Sequence, residues 1–557
     1  MRWRQHFSDL LNPPLRTSAD LHLPTAPPYD ANCESPTMDE ISHILKRLKN
    51  HKAPGEDGIP AEILKSCCPE ILSAIHGLFE TVWNLERCPA DWSQSIILPI
   101  PKRGDRTRCT NYRGISLIDV TAKVFAILLL GRFSAERHQR TRDNQGGFRP
   151  GRGCIDQIFT LRRVLEHRHK NQQETSACFI DFKTAFDSID REALWRILLA
   201  DGVPPKLVNL IRAYYDSTSA RVRVLGEESS PFSLTAGVRQ GCPLSPVLFN
   251  FLIDWVMNQA VDASSGCRLS PNLLITDLDY ADDIVVLGET PSSLQTTIDR
   301  IAEYAACVNL AINVGKTKLI TTYSGPPQLL FINGEVIEQV SHFRYLGSDI
   351  LPNGQAKDEI EHRINQARVA FMQLNRALWT RSEIGMRTKL LVYRASIRPV
   401  LLYACETWPL RSTDVHALEV FDRWCLRRIA NIRWPEQISD TALHRKCFDI
   451  PELGKYIQFR RLQWFGHVLR KPSTELTRLS VDPERCRNWS YRRGGQLKTW
   501  LSTVKSDVDA LGLAAVYGSR QWNNNWVNVC EGLASDRRQW AAMIRDIHQA
   551  GSSSRRR

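Results

Sequence analysis

The chain has 557 residues, 43% of them hydrophobic and 24% charged, and a formal net charge of +13. That length exceeds one compact core, so several subdomains with the composition of a soluble globular protein are expected. The basic excess suits a polyanionic partner, and with no run of about 18 uncharged apolar residues a membrane span is not expected.

The N-terminal MRWRQHFSDLLN is amphipathic and lacks the apolar core and small-residue cleavage site of a signal peptide. Residues 13–36, rich in Pro, Ser, Thr and Ala, read as a linker. Thr37-Met38-Asp39-Glu40 has the form of a capping box ahead of an amphipathic helix. From there to residue 350 helical and strand patterns alternate with Gly and Pro between them, which predicts a mixed α/β region. Residues 177–182 (ACFIDF) read as an apolar strand carrying one acid, Asp181. In 238–257 a loop feeds a buried helix, with Ser245 as N-cap and Pro246 at its first position. In 273–288 two apolar strands flank Ala281-Asp282-Asp283, which places two carboxylates at a hairpin tip. Beyond Gly354 the pattern is helical. Residues 423–493 hold 16 basic and 7 acidic residues, with Trp424, Trp434, Trp464 and Trp489 among them, and GSSSRRR at 551–557 reads as a disordered basic tail. The fifteen cysteines form no C-x-x-C pair, and Cys67 and Cys68 are adjacent. This pattern predicts buried thiols in a reduced intracellular protein, nuclear or cytoplasmic.

Two adjacent carboxylates at a tight turn repel each other unless a cation lies between them, and an acid in an apolar strand poses the same problem. One Mg²⁺ site built from Asp181, Asp282 and Asp283 resolves both, because Mg²⁺ takes a few carboxylates and leaves room for water and phosphate. Two such ions about 4 Å apart provide the general route to nucleotidyl transfer. Alone, an Asp-Asp pair in a turn is more often a solvated surface feature. The order of several independent segments decides otherwise.

HKAPGEDGIPAEILK (51–65), IILPIPKRGD (96–105), NYRGISLIDVTAKVF (111–125), QGGFRPGRGCIDQI (145–158), FIDFKTAFD (179–187), RQGCPLSP (239–246), YADD (280–283), GKTK (315–318) and FRYLG (343–347) follow one another along the chain. Together they resemble the reverse transcriptase domain of non-LTR (LINE-like) retrotransposons, over more than half of the sequence. The resemblance implies an α/β right-hand polymerase fold with fingers, palm and thumb, followed by a mainly helical basic region. The expected divisions are an N-terminal segment or linker at 1–36, fingers at 37–176, palm at 177–350, a thumb-like region at 351–435 and a basic C-terminal extension at 436–557.

The resemblance also carries roles onto particular residues. Asp181, Asp282 and Asp283 would be the catalytic acids and would hold Mg²⁺, with Mn²⁺ as the alternative ion. Phe186 falls where the family places a bulky gate against a 2′-hydroxyl. Gln240 and Gly241 would line the nucleotide pocket. Lys102 and Arg113 would meet the incoming triphosphate, and Lys316 the pyrophosphate. Tyr345, Leu346 and Gly347 would brace the primer end, and Arg149 would touch the template. Taken singly, Phe186 reads as core, Gln240-Gly241 as a turn, and Lys102 and Arg113 as solvated charges.

The implied activity is RNA-directed DNA synthesis, with an RNA template, a DNA primer or target and dNTPs as partners, and no membrane. The alternatives are a catalytically inactive nucleic-acid-binding remnant and an RNA-directed RNA polymerase, against which Phe186 argues. The basic region 423–493 would add phosphate contacts and aromatic stacking on bases, although Trp424 and Trp464, in helical patterns, read rather as core. Its Cys and His residues lack the spacing of a zinc knuckle. Neither an upstream endonuclease nor a spaced carboxylate set for RNase H is found, so a separate endonuclease would supply any nick. The chain is expected to be a truncated copy, a gene-model fragment or one product of a larger polyprotein.

Overall fold

The computed structural model describes the chain except residues 1, 15–20, 22, 67, 103, 434, 513–518 and 554–557, and except the side chains at 519–521, 523–524 and 546–553. Cys67, Trp434 and the end of the basic tail therefore lie outside the described residues, whereas a helix, Arg537–Ser553, runs into that tail.

The capping box forms as its sequence predicts. The Glu40 N–H donates to Thr37 Oγ1 at 3.3 Å, and the Thr37 N–H donates to the Glu40 carboxylate at 2.9 Å. Helix Met38–Arg47 then buries Ile41 and Leu45 in a core shared with Phe79 and Trp83 of helix Pro69–Leu85 and Phe125 of helix Val120–Arg140. Strand Gln94–Pro101 pairs antiparallel with Tyr112–Leu117 and parallel with Ser219–Val224. This sheet therefore crosses the division expected at residue 176. The N-terminal helix Arg2–Leu11 lies on it, with Phe7 buried against Ile97, Ala220 and Val222. Gly114 makes that approach feasible, because a Cβ there would meet the Phe7 ring at 2.7 Å.

A second five-stranded sheet runs Glu338–Gln339, Lys318–Thr321, Ser176–Ile180, Asp283–Gly288, Asp277–Tyr280. Ser176–Ile180 lies at its centre and all five residues are buried, as expected of a continuous apolar run covered on both faces. With period-two alternation, Cys178 and Ile180 face the core of helices Ser245–Ala260 and Pro291–Cys307. Ala177 and Phe179 face Ile158, Leu161 and Val164 of helix Cys154–Lys170. The strand ends one residue before Asp181, so the acid caps an apolar strand rather than lying inside it.

The segment read as a linker is docked where it is described. Tyr29 is buried, its N–H donates to Gly202 O at 2.8 Å, and the Arg140 guanidinium lies 4.1 Å from its ring. A helical core running from Ala356 to Ile457 gathers around Phe371, Trp379, Tyr393 and Trp408, pinned by a buried Arg398–Asp422 pair at 3.0 Å, so it crosses the division expected at residue 435.

The basic C-terminal region has a core of its own, in which Phe465, Trp500, Trp522 and Trp540 pack with Phe159 of helix Cys154–Lys170. The Phe159 and Trp500 rings meet edge to face at 4.6 Å. Arg163 donates to the carbonyls of Ser480 and Val481, and the Trp500 N–H donates to Glu166 at 2.6 Å. Helix Cys154–Lys170 is therefore walled in by the acid-bearing sheet on one side and the C-terminal helices on the other. Trp424 and Trp464 are half-buried and Trp489 is buried, so these indoles support packing rather than base stacking. No helix among the described residues is long and apolar enough to cross a membrane.

Trp500→Ala removes a fully buried indole and should destabilise the chain by about 3–5 kcal/mol. Urea denaturation followed by far-UV circular dichroism measures this; an unchanged midpoint would mean that the C-terminal helices do not support the rest.

Candidate active site

The centre strand delivers Asp181 at its end, where the Asp181 carbonyl accepts the Asn313 N–H at 2.7 Å. The carboxylate oxygen Oδ2 is shielded and has no hydrogen-bond partner; the Lys316 ammonium lies 3.3 Å from it. Asp282 and Asp283 arrive on the neighbouring hairpin. Tyr280 pairs with Asp283, which leaves a two-residue turn of Ala281 and Asp282. Ala281 takes the left-handed conformation (φ 56°), where such hairpins ordinarily use glycine.

The turn is held from behind. Asp277 and Asp279, two residues apart on one face of the hairpin's first strand, are fully buried, and the Arg142 guanidinium bridges them at 2.9 and 2.8 Å. Gln145 Oε1 accepts the Ala281 N–H at 2.9 Å, Gln157 Nε2 donates to Asp279 O at 2.9 Å, and the Gly146 N–H donates to the same carbonyl at 2.8 Å. Loop 142–149 thus covers the open edge of the sheet. Burial and the nearby Asp277 charge push the Asp279 carboxyl well above its usual range.

Asp283 opens to solvent at its tip, but protein crowds it from below. Burial, then the charges of Asp282 and Asp181, raise its carboxyl to about 6. Asp282 is raised chiefly by burial and then by Asp181. Among the described residues no three ligand groups converge as a preformed metal cage. Asp181 is near enough to raise Asp282, and both to raise Asp283, yet the three carboxylates remain open on the cleft side.

Cations line that cleft. Arg113 stands opposite Ile100 on the two paired strands of the first sheet, and Lys102 follows the same ribbon, its N–H donating to Asn111 O at 2.7 Å. Burial, then repulsion from Arg113 and Lys316, lowers the Lys102 ammonium. Arg113 and Lys316 in turn lower the carboxyls of Asp282 and Asp283. The structure thus brings Asp181, Asp282, Asp283, Lys102, Arg113 and Lys316 around one opening.

Phe186 lies flat against the buried Phe249, with centroids 4.4 Å apart and rings 13° from parallel. The Gln240 amide donates to both oxygens of Asp187 at 3.1 Å, and its carbonyl accepts the Ser116 N–H at 2.7 Å. Gly241 has a positive φ of 126° and a close backbone neighbour. The group that closes on it is Ser116, whose oxygen would lie 2.6 Å from an added Cβ.

Three expectations change in detail. Tyr345 is 2% exposed and its hydroxyl donates to Leu278 O at 3.3 Å, so its side chain props the Asp282–Asp283 hairpin from below. The turn itself is Leu346-Gly347, both with positive φ; Tyr403 donates to Leu346 O and Arg363 to Gly347 O. The Arg149 guanidinium donates to the carbonyls of Arg142, Gln145 and His138, so it ties its own loop together. Ser245 is the first helical residue, and its hydroxyl donates to Arg239 O instead of capping.

Arg142, Gln145, Asp187, Asp277 and Asp279 are the supporting residues that sequence reasoning missed. The available signal was the spacing in TDLDYADD, which puts two further acids on one strand face with no partner nearby in sequence. Arg142→Ala strands both carboxylates and should cost about 3–5 kcal/mol. Adding Asp277→Asn and Asp279→Asn should recover part of that loss, as read by urea midpoints; no recovery would mean that the arginine acts by packing alone.

Residues 100–350 match the family described as reverse transcriptase (RNA-dependent DNA polymerase). The chain is 25% identical over 464 residues to the RNA-directed DNA polymerase from mobile element jockey of Drosophila funebris, covering 81% of this chain and 49% of that protein. It is also 25% identical to the Pol polyprotein of the type-2 retrotransposable element R2DM of Drosophila melanogaster, over 84% of this chain and 45% of that one. A third relative, the transposon TX1 149 kDa protein of Xenopus laevis, is 26% identical over 50% of this chain and 22% of its own. The chain spans about half the length of the first two. A solved structure of apo telomerase from Candida Tropicalis, truncated from its C-terminal domain, overlaps 48% of this chain and 55% of that one at 15% identity and a TM-score of 0.34. The mixed α/β unit that carries the three acids, residues 100–350, thus matches a reverse transcriptase domain, and the chain is similar over most of its length to the polymerases of non-LTR retrotransposons.

Proposed function

We propose that this chain is an RNA-directed DNA polymerase that extends a DNA 3′-end on an RNA template by nucleotidyl transfer. The observation that carries the reading is the cleft itself, where three palm carboxylates face three cations from the fingers side and the 315–318 loop.

The carboxylates fit a hard divalent cation. A shielded Asp181 oxygen with no hydrogen bond, held only by the Lys316 ammonium, and raised carboxyls at Asp282 and Asp283 are what a site for a further cation calls for. Asp181, Asp282 and Asp283 would hold Mg²⁺, or Mn²⁺ in its place, which supplies Lewis acidity to a hydroxyl and a triphosphate when bound. The chain's own groups do the rest. Arg113 offers a planar fork and Lys102 a point charge to the triphosphate. Lys316 lies beside Asp181 for the departing pyrophosphate. Phe186, backed by Phe249, closes the space a 2′-hydroxyl would need, and Gln240, held by Asp187, borders the same pocket. The Leu346-Gly347 turn is the exposed part of the primer brace. On this reading residues 37–176, 177–350 and 351–435 act as fingers, palm and thumb, with Ser219–Val224 lent to the fingers sheet.

Primer extension on an annealed RNA template with dNTPs and Mg²⁺ tests the reading. Asp282→Ala should lower the rate by about 10²–10³-fold or more. Template binding without extension by the parent would leave a nucleic-acid-binding protein without catalysis. Cation binding has its own signature. A carboxyl raised in the folded state costs stability above its folded value of about 6 and costs none below its unfolded value. The shift in Tm on adding Mg²⁺ should therefore be larger at pH 8 than at pH 5, and absent in Asp282→Asn; equal shifts in all three would reject the site.

A further inference from the structure

Loop Gln145–Phe148 touches both the catalytic hairpin and the gate. Its backbone is fastened from three directions. Gln145 Oε1 accepts the N–H of Gly147 at 2.8 Å and of Ala281 at 2.9 Å, the Gly146 N–H donates to Asp279 O, and Asn250 Nδ2 donates to Gly147 O at 2.9 Å. Gly147 lies so close to the turn that a Cβ would come within 2.4 Å of Ala281 N. These anchors dictate where Phe148 sits.

Phe148 is an odd occupant for that place. It is 45% exposed, and its backbone is left-handed at φ 55°, a conformation unfavourable for a bulky side chain. Neither burial nor backbone ease accounts for a phenylalanine here. Its one aromatic neighbour among the described residues does. The Phe148 ring meets Phe186 edge to face, with centroids 6.3 Å apart and planes 84° apart. Phe186 therefore has two ring neighbours, the buried Phe249 stacked flat on it and the half-exposed Phe148 nearly perpendicular to it.

We infer that Phe148 is a specificity-determining residue that keeps Phe186 from swinging aside, and so sharpens the choice of deoxynucleotides over ribonucleotides. The inference rests on the polymerase reading and on Phe186 as the gate. A wall that must exclude a single oxygen has to hold its place to a fraction of an ångström. A ring stacked on one side only retains an escape by side-chain rotation, and the perpendicular Phe148 ring closes that route. Strain in the loop is then the cost of a functional contact, a usual association at such sites.

The test uses the full chain and compares kcat/KM for a dNTP with that for the matching rNTP. The ratio cancels any loss common to both substrates. Phe148→Ala should lower it by roughly two- to tenfold, the worth of an aromatic pair. Phe148→Tyr, which keeps the ring edge, should restore it, and Phe186→Ala should lower it further. A parent that discriminates, with Phe148→Ala discriminating equally well, overturns the inference and leaves the polymerase reading intact. A parent that extends nothing removes the polymerase reading and the inference with it. A ratio lowered equally in Phe148→Ala and Phe148→Tyr also overturns it, because loop distortion rather than the ring edge would then be the cause.

Discussion

The contact on which the site depends is a single guanidinium held between two buried carboxylates. Arg142 lies between Asp277 and Asp279 under the strand that presents Asp282 and Asp283. Two buried acids on one edge strand would otherwise be intolerable, because charge out of water must be paired. Once Arg142 is drawn in, its loop follows and its backbone and Gln145 take up the unpaired groups of the edge. An edge strand is ordinarily a liability. Here the cover that protects it also sets the height of the Ala281-Asp282 turn.

The same economy appears one layer deeper. Helix Cys154–Lys170 is the floor under the acid-bearing sheet and the seat of the C-terminal helices. Its charged residues are consequently buried, with Arg162 donating to Gln355 O and Asp349 O, and Arg163 to Ser480 O and Val481 O. Carbonyls are suitable partners for a buried guanidinium, whose five donors in a fixed fork reach several at once. The arginines of this helix are thus an internal fastening of the fold.

What was legible in the sequence was local. The capping box at 37–40, the apolar strand before Asp181 and the hairpin tip at 281–283 each follow from spacing within a few residues. The partners of long separation were not legible. Strand Gln94–Pro101 pairs with Ser219–Val224 across more than a hundred residues, and nothing in either segment names the other. Arg142 and Arg149 look alike in sequence, as surface cations do, yet one is clamped by carboxylates and the other by carbonyls. Tyr345 could be placed in the primer brace by motif order, but its burial depends on how the hairpin folds back. The tryptophans of 423–493 were ambiguous for a physical reason: an indole suits a helix core and a base-stacking surface equally well, and only the neighbours decide.

Because one helix serves as wall to two cores, the chain is not divisible at the seam that its composition suggests. Losing the segments beyond residue 436 would bare Phe159, Arg163 and Glu166 together, an apolar ring beside ions stripped of their partners. Inheritance would feel the same constraint: a change at Phe159 calls for an answering change at Trp464 or Trp500, so the two regions should drift as a pair.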